Sequence, residues 1–206
     1  MPATLSPFYS DASVEAYRLS VGPVDNNVYI VRCRTSGESV LVDAANESEK
    51  LLDLCTEFNV RKVIETHGHW DHVAAVPQLR DAGYSVAISP LDGALVEGYD
   101  EELQDGDRIE VGHLVIEVIH TPGHTPGSMC FYVTNTPLLF TGDTLFPGGP
   151  GATRYEGGDF ATIIDSIQNR IFARFAMDTK VLPGHGLATD IGTEYPELDS
   201  WIARGW

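Results

Sequence analysis

The sequence has no run of 18 apolar residues, only three cysteines, and far fewer basic than acidic residues. Without such a run the chain is not expected to cross a membrane, and three cysteines with no Cys-x-x-Cys pair are atypical of a disulfide framework. The 13 Lys and Arg against 30 Asp and Glu give a formal net charge of −17, which opposes binding to nucleic acid and to anionic membranes. Residues 1–7 lack the basic and apolar parts of a signal peptide, so we expect a cytoplasmic protein.

The patterns that are present indicate a globular α/β protein. Its 206 residues are 43% apolar, so we assign residues 1–206 to a single domain. Strand and helix patterns alternate in both halves, which favours two sheets with helices outside. The predicted strands are 15–21, 28–33, 39–43, 60–66, 85–89, 108–111, 114–120, 128–134, 138–141 and 180–182. The predicted helices are one capped at Asn46 or Ser48 and ending at Phe58, one over 159–175 capped at Asp159, and others over 73–82, 91–96 and 196–204. The three cysteines, Cys33, Cys55 and Cys130, lie in these apolar patterns and are predicted to be core residues.

The densest group of metal-binding side chains lies in residues 66–72, whose sequence is Thr-His-Gly-His-Trp-Asp-His. This segment follows a predicted buried strand, so it forms the loop at the carboxyl end of that strand. Residues i and i+2 of an extended chain point to one side, which lets His67 and His69 bind one ion together. Asp71 and His72 lie beyond the next bend and can reach a second ion. Imidazole and carboxylate are ligands of zinc, iron and manganese.

Three further candidate ligands occupy the same kind of position. His124, Asp143 and His185 each lie close behind a predicted strand, and each has a glycine beside it. Glycine lets the backbone turn sharply and approach an ion closely. The sequence therefore predicts a metal site where the ends of several strands meet.

The full pattern, His-x-His-x-Asp-His followed by His, Asp and His, resembles that of the metallo-β-lactamase-fold hydrolase superfamily. The resemblance spans nearly the whole chain and implies an αββα sandwich of two mixed β-sheets flanked by helices, with a site for two metal ions at one edge of the sheets. It implies that one ion is held by His67, His69 and His124, and the other by Asp71, His72 and His185, with Asp143 bridging both.

The chemistry implied by this resemblance is that of a dinuclear metallo-hydrolase. Two divalent ions about 3.5–4 Å apart can share a water and make it a hydroxide near neutral pH, which then attacks a substrate carbonyl. We expect zinc, with iron or manganese as the other ions suited to these ligands. Asp71 and Asp143 are the predicted catalytic residues. Asp43 is a candidate to orient a ligand imidazole, and the alternative is an ordinary aspartate at a strand end.

The substrate class is narrowed by residues outside the ligand pattern. Position 143 is an aspartate where lactam-cleaving relatives commonly have a cysteine, and residues 140–146 and 182–186 resemble the glyoxalase-II-like branch, which hydrolyses thioesters. Only 21 residues follow His185, so we expect the helical C-terminal domain of glyoxalase II to be absent. We predict hydrolysis of a small thioester or ester. The alternatives are glyoxalase II itself, a mononuclear iron persulfide dioxygenase of the same fold, which would use His67, His124 and Asp143, and a non-catalytic metal-binding protein.

Substrate contacts are predicted at Trp70, Arg154 and Tyr155. The segment 154–157 lies near the place where the glyoxalase-II-like branch has a basic and tyrosine segment that contacts glutathione, although its register is shifted. We expect an open pocket with walls formed by Trp70 and by residues 146–158. The predicted partner is a small-molecule substrate, with no nucleic acid and no membrane, and a homodimer is left open. His113, in a hairpin turn, is predicted to be solvated.

Overall fold

The computed structural model describes residues 5–205 and, within them, contains two large mixed β-sheets. The first sheet has seven strands in chain order, β1 to β7. Strands β1 to β4 pair antiparallel, whereas β4 to β7 pair parallel. Its strands are β1 (Tyr9–Ser10), β2 (Val14–Val21), β3 (Asn26–Cys33), β4 (Ser39–Val42), β5 (Val60–Ile64), β6 (Ser85–Ile88) and β7 (Glu101–Glu102).

The second sheet has six strands in the order β15-β14-β11-β10-β9-β8, and only β11 and β14 pair parallel in it. Its strands are β8 (Arg108–Val111), β9 (Leu114–His120), β10 (Met129–Val133), β11 (Leu138–Gly142), β14 (Lys180–Pro183) and β15 (Thr189–Asp190). A small two-stranded sheet, β12 (Leu145–Phe146) with β13 (Gly149–Pro150), closes the glycine-rich loop after β11.

The helices cover the outer faces of the two sheets. They are α1 (Ser48–Glu57), α2 (Trp70–Val73), α3 (Val76–Asp81), α4 (Phe160–Asp165), α5 (Ile191–Glu194) and α6 (Leu198–Arg204). Helix α4 continues as a π-helical segment, Ser166–Phe172, and short 3₁₀ turns lie at Gly93–Leu95 and Tyr195–Glu197.

Three apolar clusters separate four layers of structure. The central cluster fills the space between the two sheets, with Val31 and Val40 facing Ile116 and Phe131. A second cluster packs the first sheet against α1 and α3, and a third packs the second sheet against α4 and α6. Each fully buried aliphatic or phenyl side chain in these clusters contributes about 1.5–3 kcal/mol through its removal from water. The order helix, sheet, sheet, helix confirms the predicted αββα sandwich.

Several predicted boundaries differ from those in the structure. Neither Asn46 nor Ser48 caps α1, because Glu47 precedes the first turn in a left-handed conformation (φ 52°) and its side chain does not cap the helix. Of the helix predicted over 73–82, Val73 is the last residue of α2 and only Val76–Asp81 forms a further helix, α3, because Pro77 has no N–H for a helix that continues from α2. Asp159 does cap α4 by accepting a hydrogen bond from the Thr162 N–H, as predicted.

Two composition-based expectations can also be compared with the structure. The three cysteines are buried and free, as predicted for core residues. Among residues 5–205, no helix combines the length and the apolar character needed to span a membrane. The described residues do not include residues 1–4 or residue 206. Residues 1–4 belong to the segment that lacks the features of a signal peptide, and residue 206 is the last residue of the predicted domain.

Candidate metal centre

All seven predicted ligands meet at one end of the two sheets. The loop after β5 carries His67 and His69, the short helix α2 that follows it carries Asp71 and His72, and the loops after β9, β11 and β14 carry the other three. These loops converge because β5 lies in the parallel part of the first sheet and β11 and β14 are the parallel pair of the second. The carboxyl ends of parallel strands share one edge of a sheet, where binding sites form.

The first group of candidate ligands is His67, His69 and His124. The His69 Nδ1 lies 2.9 Å from the His124 Nε2 and 3.1 Å from the His67 Nε2. Two of the three residues are buried, and each offers one nitrogen within 4.8 Å of the others. The three nitrogens therefore face one point, as ligands of a single ion would.

The second group is Asp71, His72 and His185. The His72 Nε2 lies 3.2 Å from the His185 Nε2, and Asp71 Oδ2 lies 3.2 Å from the His185 Nε2. His72 is fully buried, whereas the other two are partly exposed. This second group again matches the set predicted for one ion.

Asp143 lies between the two groups. Its Oδ1 is 3.4 Å from the His72 Nε2, and its Oδ2 is 3.6 Å from the His124 Nε2 and 3.7 Å from the His185 Nε2. Oδ1 is buried and has no hydrogen-bond donor among the described residues. A buried carboxylate oxygen without a partner is costly, so this oxygen calls for a cation or a bound water.

In four of the candidate ligand histidines, the Nδ1 atom faces away from the centre and contacts a hydrogen-bond acceptor. The His124 Nδ1 donates to the Ala152 carbonyl (2.7 Å), and the His185 Nδ1 donates to the Val24 carbonyl (3.0 Å). The Nδ1 atoms of His67 and His72 lie against the Thr66 hydroxyl (3.1 Å) and the Asp43 carboxylate (2.8 Å). Because the Thr66 hydroxyl itself donates to Asp43 (2.9 Å), it accepts the proton of His67. In the neutral rings, every Nε2 lone pair therefore points inward, which is the form that binds a metal.

The pKa values of these histidines fit the same interpretation. Burial is the largest influence on each histidine of the first group and lowers its pKa, so these rings are neutral. For His72, burial opposes the charged form, but the nearby carboxylates, Asp143 foremost, raise its pKa to about 9. The second group thus lies in an excess of negative charge. Neutral imidazoles in the first group and excess negative charge in the second fit a pair of divalent cations.

Asp43 contacts a ligand imidazole, as the sequence suggested. It is buried, and besides His72 it accepts hydrogen bonds from the Thr66 N–H (2.7 Å) and hydroxyl. Glu65, fully buried behind it, accepts from the Ala44 N–H, and burial together with the charge of Asp43 raises the pKa of Glu65 well above its usual value.

Asp43→Asn is expected to weaken ion binding by the second group. In the asparagine, an NH₂ group would take the place of one carboxylate oxygen and would face an N–H or O–H donor. It could not accept that hydrogen bond, so His72 would lose its fixed orientation. Loss of such a partner typically lowers metal affinity 10–100-fold. Competition with a chromophoric chelator measures the change, and Asp11→Asn, a change at an exposed aspartate bonded within its own turn, is the control. Unchanged affinity would show that Asp43 does not orient the ligand.

The sequence reasoning missed Asn26. Asn26 begins β3, two residues before the start of the predicted strand 28–33, and its Nδ2 donates to Asp71 Oδ2 at 2.9 Å. Its backbone also forms an isolated bridge with His185. In the sequence, Asn26 cannot be distinguished from an ordinary asparagine in a turn. Its burial becomes visible only in the folded structure.

The centre forms the floor of a pocket of about 930 Å³. The walls predicted from the sequence are present: Trp70 is 63% exposed at the rim, and residues 146–152 and 154–157 line the other side. The Arg154 Nη2 donates to the Tyr155 hydroxyl (3.0 Å), and the Tyr155 ring lies 5.7 Å from the His69 ring. Two apolar wall residues, Leu91 and Leu95, were missed.

The remaining histidines lie away from this centre. The His120 Nε2 contacts the Pro126 carbonyl at 2.8 Å, and the side chain of His113 is exposed in the turn between β8 and β9, as predicted. Neither belongs to a group of candidate ligands among the described residues.

Comparison with known proteins supports these observations. The profile of the Metallo-beta-lactamase superfamily matches residues 21–185. The chain is 30% identical over 198 residues to the probable metallo-hydrolase YqgX of Bacillus subtilis, covering 86% of this chain and 92% of that protein. It is 32% identical over 179 residues to the hydroxyacylglutathione hydrolase GloC of Haemophilus influenzae, covering 76% of this chain and 84% of that protein. The crystal structure of TTHA1623 in a di-iron-bound form superposes with a TM-score of 0.78 at 31% identity, covering 86% of this chain and 96% of that one. The chain therefore belongs to the metallo-beta-lactamase superfamily.

Proposed function

We propose that the protein hydrolyses a small thioester or ester, with two divalent metal ions as its cofactor. The observation that carries this proposal is the floor of the pocket, where imidazole lone pairs and the carboxylates of Asp71 and Asp143 all face inward. The ions, when bound, would supply Lewis acidity and a water of lowered pKa. The first group would hold one ion and the second group the other.

Water is the nucleophile in this proposal. Among the described residues that line the pocket, none is a serine, threonine, cysteine or lysine, so the wall offers no aliphatic hydroxyl, thiol or amine nucleophile. Asp143 places an unpartnered oxygen on the floor, where it can accept a hydrogen bond from an attacking water. Asp71 is held in place by Asn26 and His185 and keeps its carboxylate turned toward the same space.

The walls indicate which substrates fit. Trp70, Leu91 and Leu95 are each more than half exposed and line the same pocket, so they offer apolar surface to an acyl group. Arg154 contributes a cation, and no carboxylate among residues 5–205 forms an ion pair with it. The pocket therefore suits a substrate with an apolar acyl part and room for a negative group at its rim.

The proposal is tested with a panel of thioesters and esters on metal-replete enzyme. We expect small neutral thioesters to be hydrolysed, and acyl groups that differ by one methylene to differ about tenfold or less in kcat/KM, the lower end of what an apolar pocket supplies. Lactoylglutathione is the comparison substrate. Absence of thioester and ester hydrolysis across the panel would refute the proposal.

A second candidate function is hydroxyacylglutathione hydrolysis. It is favoured by the similarity to the Haemophilus influenzae protein of that name, most of whose length this chain matches. Arg154 and Tyr155, at the rim, suit the carboxylates of a glutathione moiety. A strong preference for lactoylglutathione in the panel would establish this function in place of the broader one.

Arg154→Ala is expected to raise KM for carboxylate-bearing substrates and to spare neutral ones. The guanidinium lies at the rim, so its contact is made equally in the ground state and transition state and affects KM rather than kcat. We expect a rise of about two- to fivefold, the size of an exposed ion pair. Arg154→Lys, which keeps the charge, is the matched variant and should restore most of the affinity. An equal effect on neutral substrates would show that Arg154 acts through loop structure instead.

A further inference from the structure

Asp92 is a fully buried aspartate beside the metal centre. It follows β6 and precedes the short 3₁₀ turn at Gly93–Leu95. Its carboxylate accepts three hydrogen bonds, from the Gly68 N–H (2.9 Å), the Gly127 N–H (2.8 Å) and the Thr125 hydroxyl (2.6 Å). A buried carboxylate needs such donors, and these three come from two separate loops.

Those two loops carry the first group of candidate ligands. Gly68 lies between His67 and His69, and Thr125 directly follows His124. One carboxylate thus ties the backbone of the loop after β5 to the backbone of the loop after β9. Asp92 Oδ2 receives a bond from each loop, so a shift of either loop would stretch a charge-assisted hydrogen bond.

The packing around Asp92 is equally close. A Cβ atom on Gly127 would lie 2.6 Å from the Asp92 Cγ, and a Cβ atom on Gly68 would lie 2.9 Å from the Asp92 carbonyl oxygen. Both distances are too short for any side chain, so glycine is required where each loop meets Asp92. The three segments therefore form one rigid unit.

We infer that Asp92 is a positioning residue that sets the distance between His124 and the pair His67 and His69. This inference rests on the proposed function, because it assigns the first group to one ion. Asp92 makes no comparable bond to Asp71, His72 or His185 among the described residues. Loss of its carboxylate should therefore weaken one of two bound ions and leave the other unchanged.

Asp92→Asn is the primary test. Asparagine has nearly the same shape, but its amide would turn one N–H donor toward another donor. The wild type and the variant are freed of metal, then titrated with Co²⁺ followed by visible absorption and with Zn²⁺ in competition with a chelator. We expect two equivalents in the wild type. In the variant we expect one equivalent at wild-type affinity and one weakened about 10–100-fold, the usual effect of losing an orienting partner.

Thr125→Val and Thr125→Ser provide a second, milder test. Valine removes one bond to Asp92 and keeps its charge, so the same equivalent should weaken by a smaller factor. Serine restores the hydroxyl and should restore the affinity. Asp100→Asn is the matched control, because Asp100 also accepts a backbone N–H, that of Val86, but lies in the segment leading to β7 and contacts no ligand loop.

The outcomes separate the inference from the proposed function. If Asp92→Asn binds two equivalents of metal at wild-type affinity, the inference is wrong and the proposed function is unaffected. If the binding of both ions is weakened equally, Asp92 has only a structural role, and the inference is wrong in that case too. A wild-type protein that binds no Co²⁺ or Zn²⁺ would refute the proposed function and the inference that rests on it.

Discussion

Asp143→Ala is expected to abolish hydrolysis and to release both metal ions. The carboxylate lies within 3.4–3.7 Å of ring nitrogens from both groups, so its removal takes one ligand from each ion at once. It also removes an oxygen placed to accept a hydrogen bond from the attacking water. Loss of an orienting partner alone costs about 10–100-fold, so loss of a shared ligand should lower kcat/KM by about 10³-fold or more. Metal analysis after gel filtration and thioester kinetics measure the two effects.

His113→Ala is the control for this experiment. His113 is exposed in the turn between β8 and β9 and belongs to no group of candidate ligands among the described residues. Its replacement should leave both metal content and rate near those of the wild type. Two tightly bound ions in Asp143→Ala would contradict the shared position of this carboxylate.

Removal of the metal with a chelator is expected to reduce hydrolysis to the uncatalysed rate and to lower Tm. We expect about two equivalents of zinc, or of zinc mixed with iron and manganese, per chain, because Asp143 lies within 3.4–3.7 Å of ring nitrogens from both candidate ligand groups. A ligand that binds only the folded state stabilises it, by about 2.7 kcal/mol when present at 100 times its Kd. Elemental analysis, differential scanning calorimetry and the thioester assay follow the loss.

Reconstitution distinguishes the alternatives. Zn²⁺, Mn²⁺ or Fe²⁺ added back to the metal-free protein should restore hydrolysis, which shows that chelation did not damage the chain. One equivalent of iron alone, whose loss ends the consumption of O₂, would assign the protein to the iron dioxygenases of this fold. The second group argues against a site for a single iron ion, because Asp71, His72 and His185 would then bind no metal.

The ligands could be predicted from the sequence because each belongs to a local pattern. A buried strand followed by glycine and a histidine or aspartate marks a loop at a strand end, and parallel pairing brings such loops to one edge. His124 and His185 are 61 residues apart in the sequence, with Asp143 between them, yet each of the three shows this pattern within its own segment. The fold class followed from the same alternation of strands and helices.

The supporting residues could not be predicted in this way. Asn26 contacts Asp71, and Asp92 contacts the loops of the first group, in both cases across segments that are far apart in the sequence. Nothing in their own neighbourhood distinguishes a buried polar residue from an exposed one. The helix predicted over 159–175 shows a related limit. Its apolar pattern fitted an α-helix, but the chain is π-helical from Ser166 and the helix ends at Phe172. Its buried side chains, among them Ile167 and Ile171, belong to the cluster on the second sheet, and contacts between distant segments are not visible in a local pattern.

Each ion-binding group draws its members from both sheets. In the first group, two histidines follow β5 of the first sheet and His124 follows β9 of the second; in the second group, Asp71 and His72 follow β5 and His185 follows β14. Neither half of the chain can therefore assemble a complete ligand set alone. If the proposed ions bind as inferred, both ligand sets become complete only when the two sheets pack together, so tight metal binding is expected to follow that packing during folding. Slow metal uptake by a refolding chain would then report the packing of the two sheets against each other. This step forms contacts between residues that are far apart in the sequence.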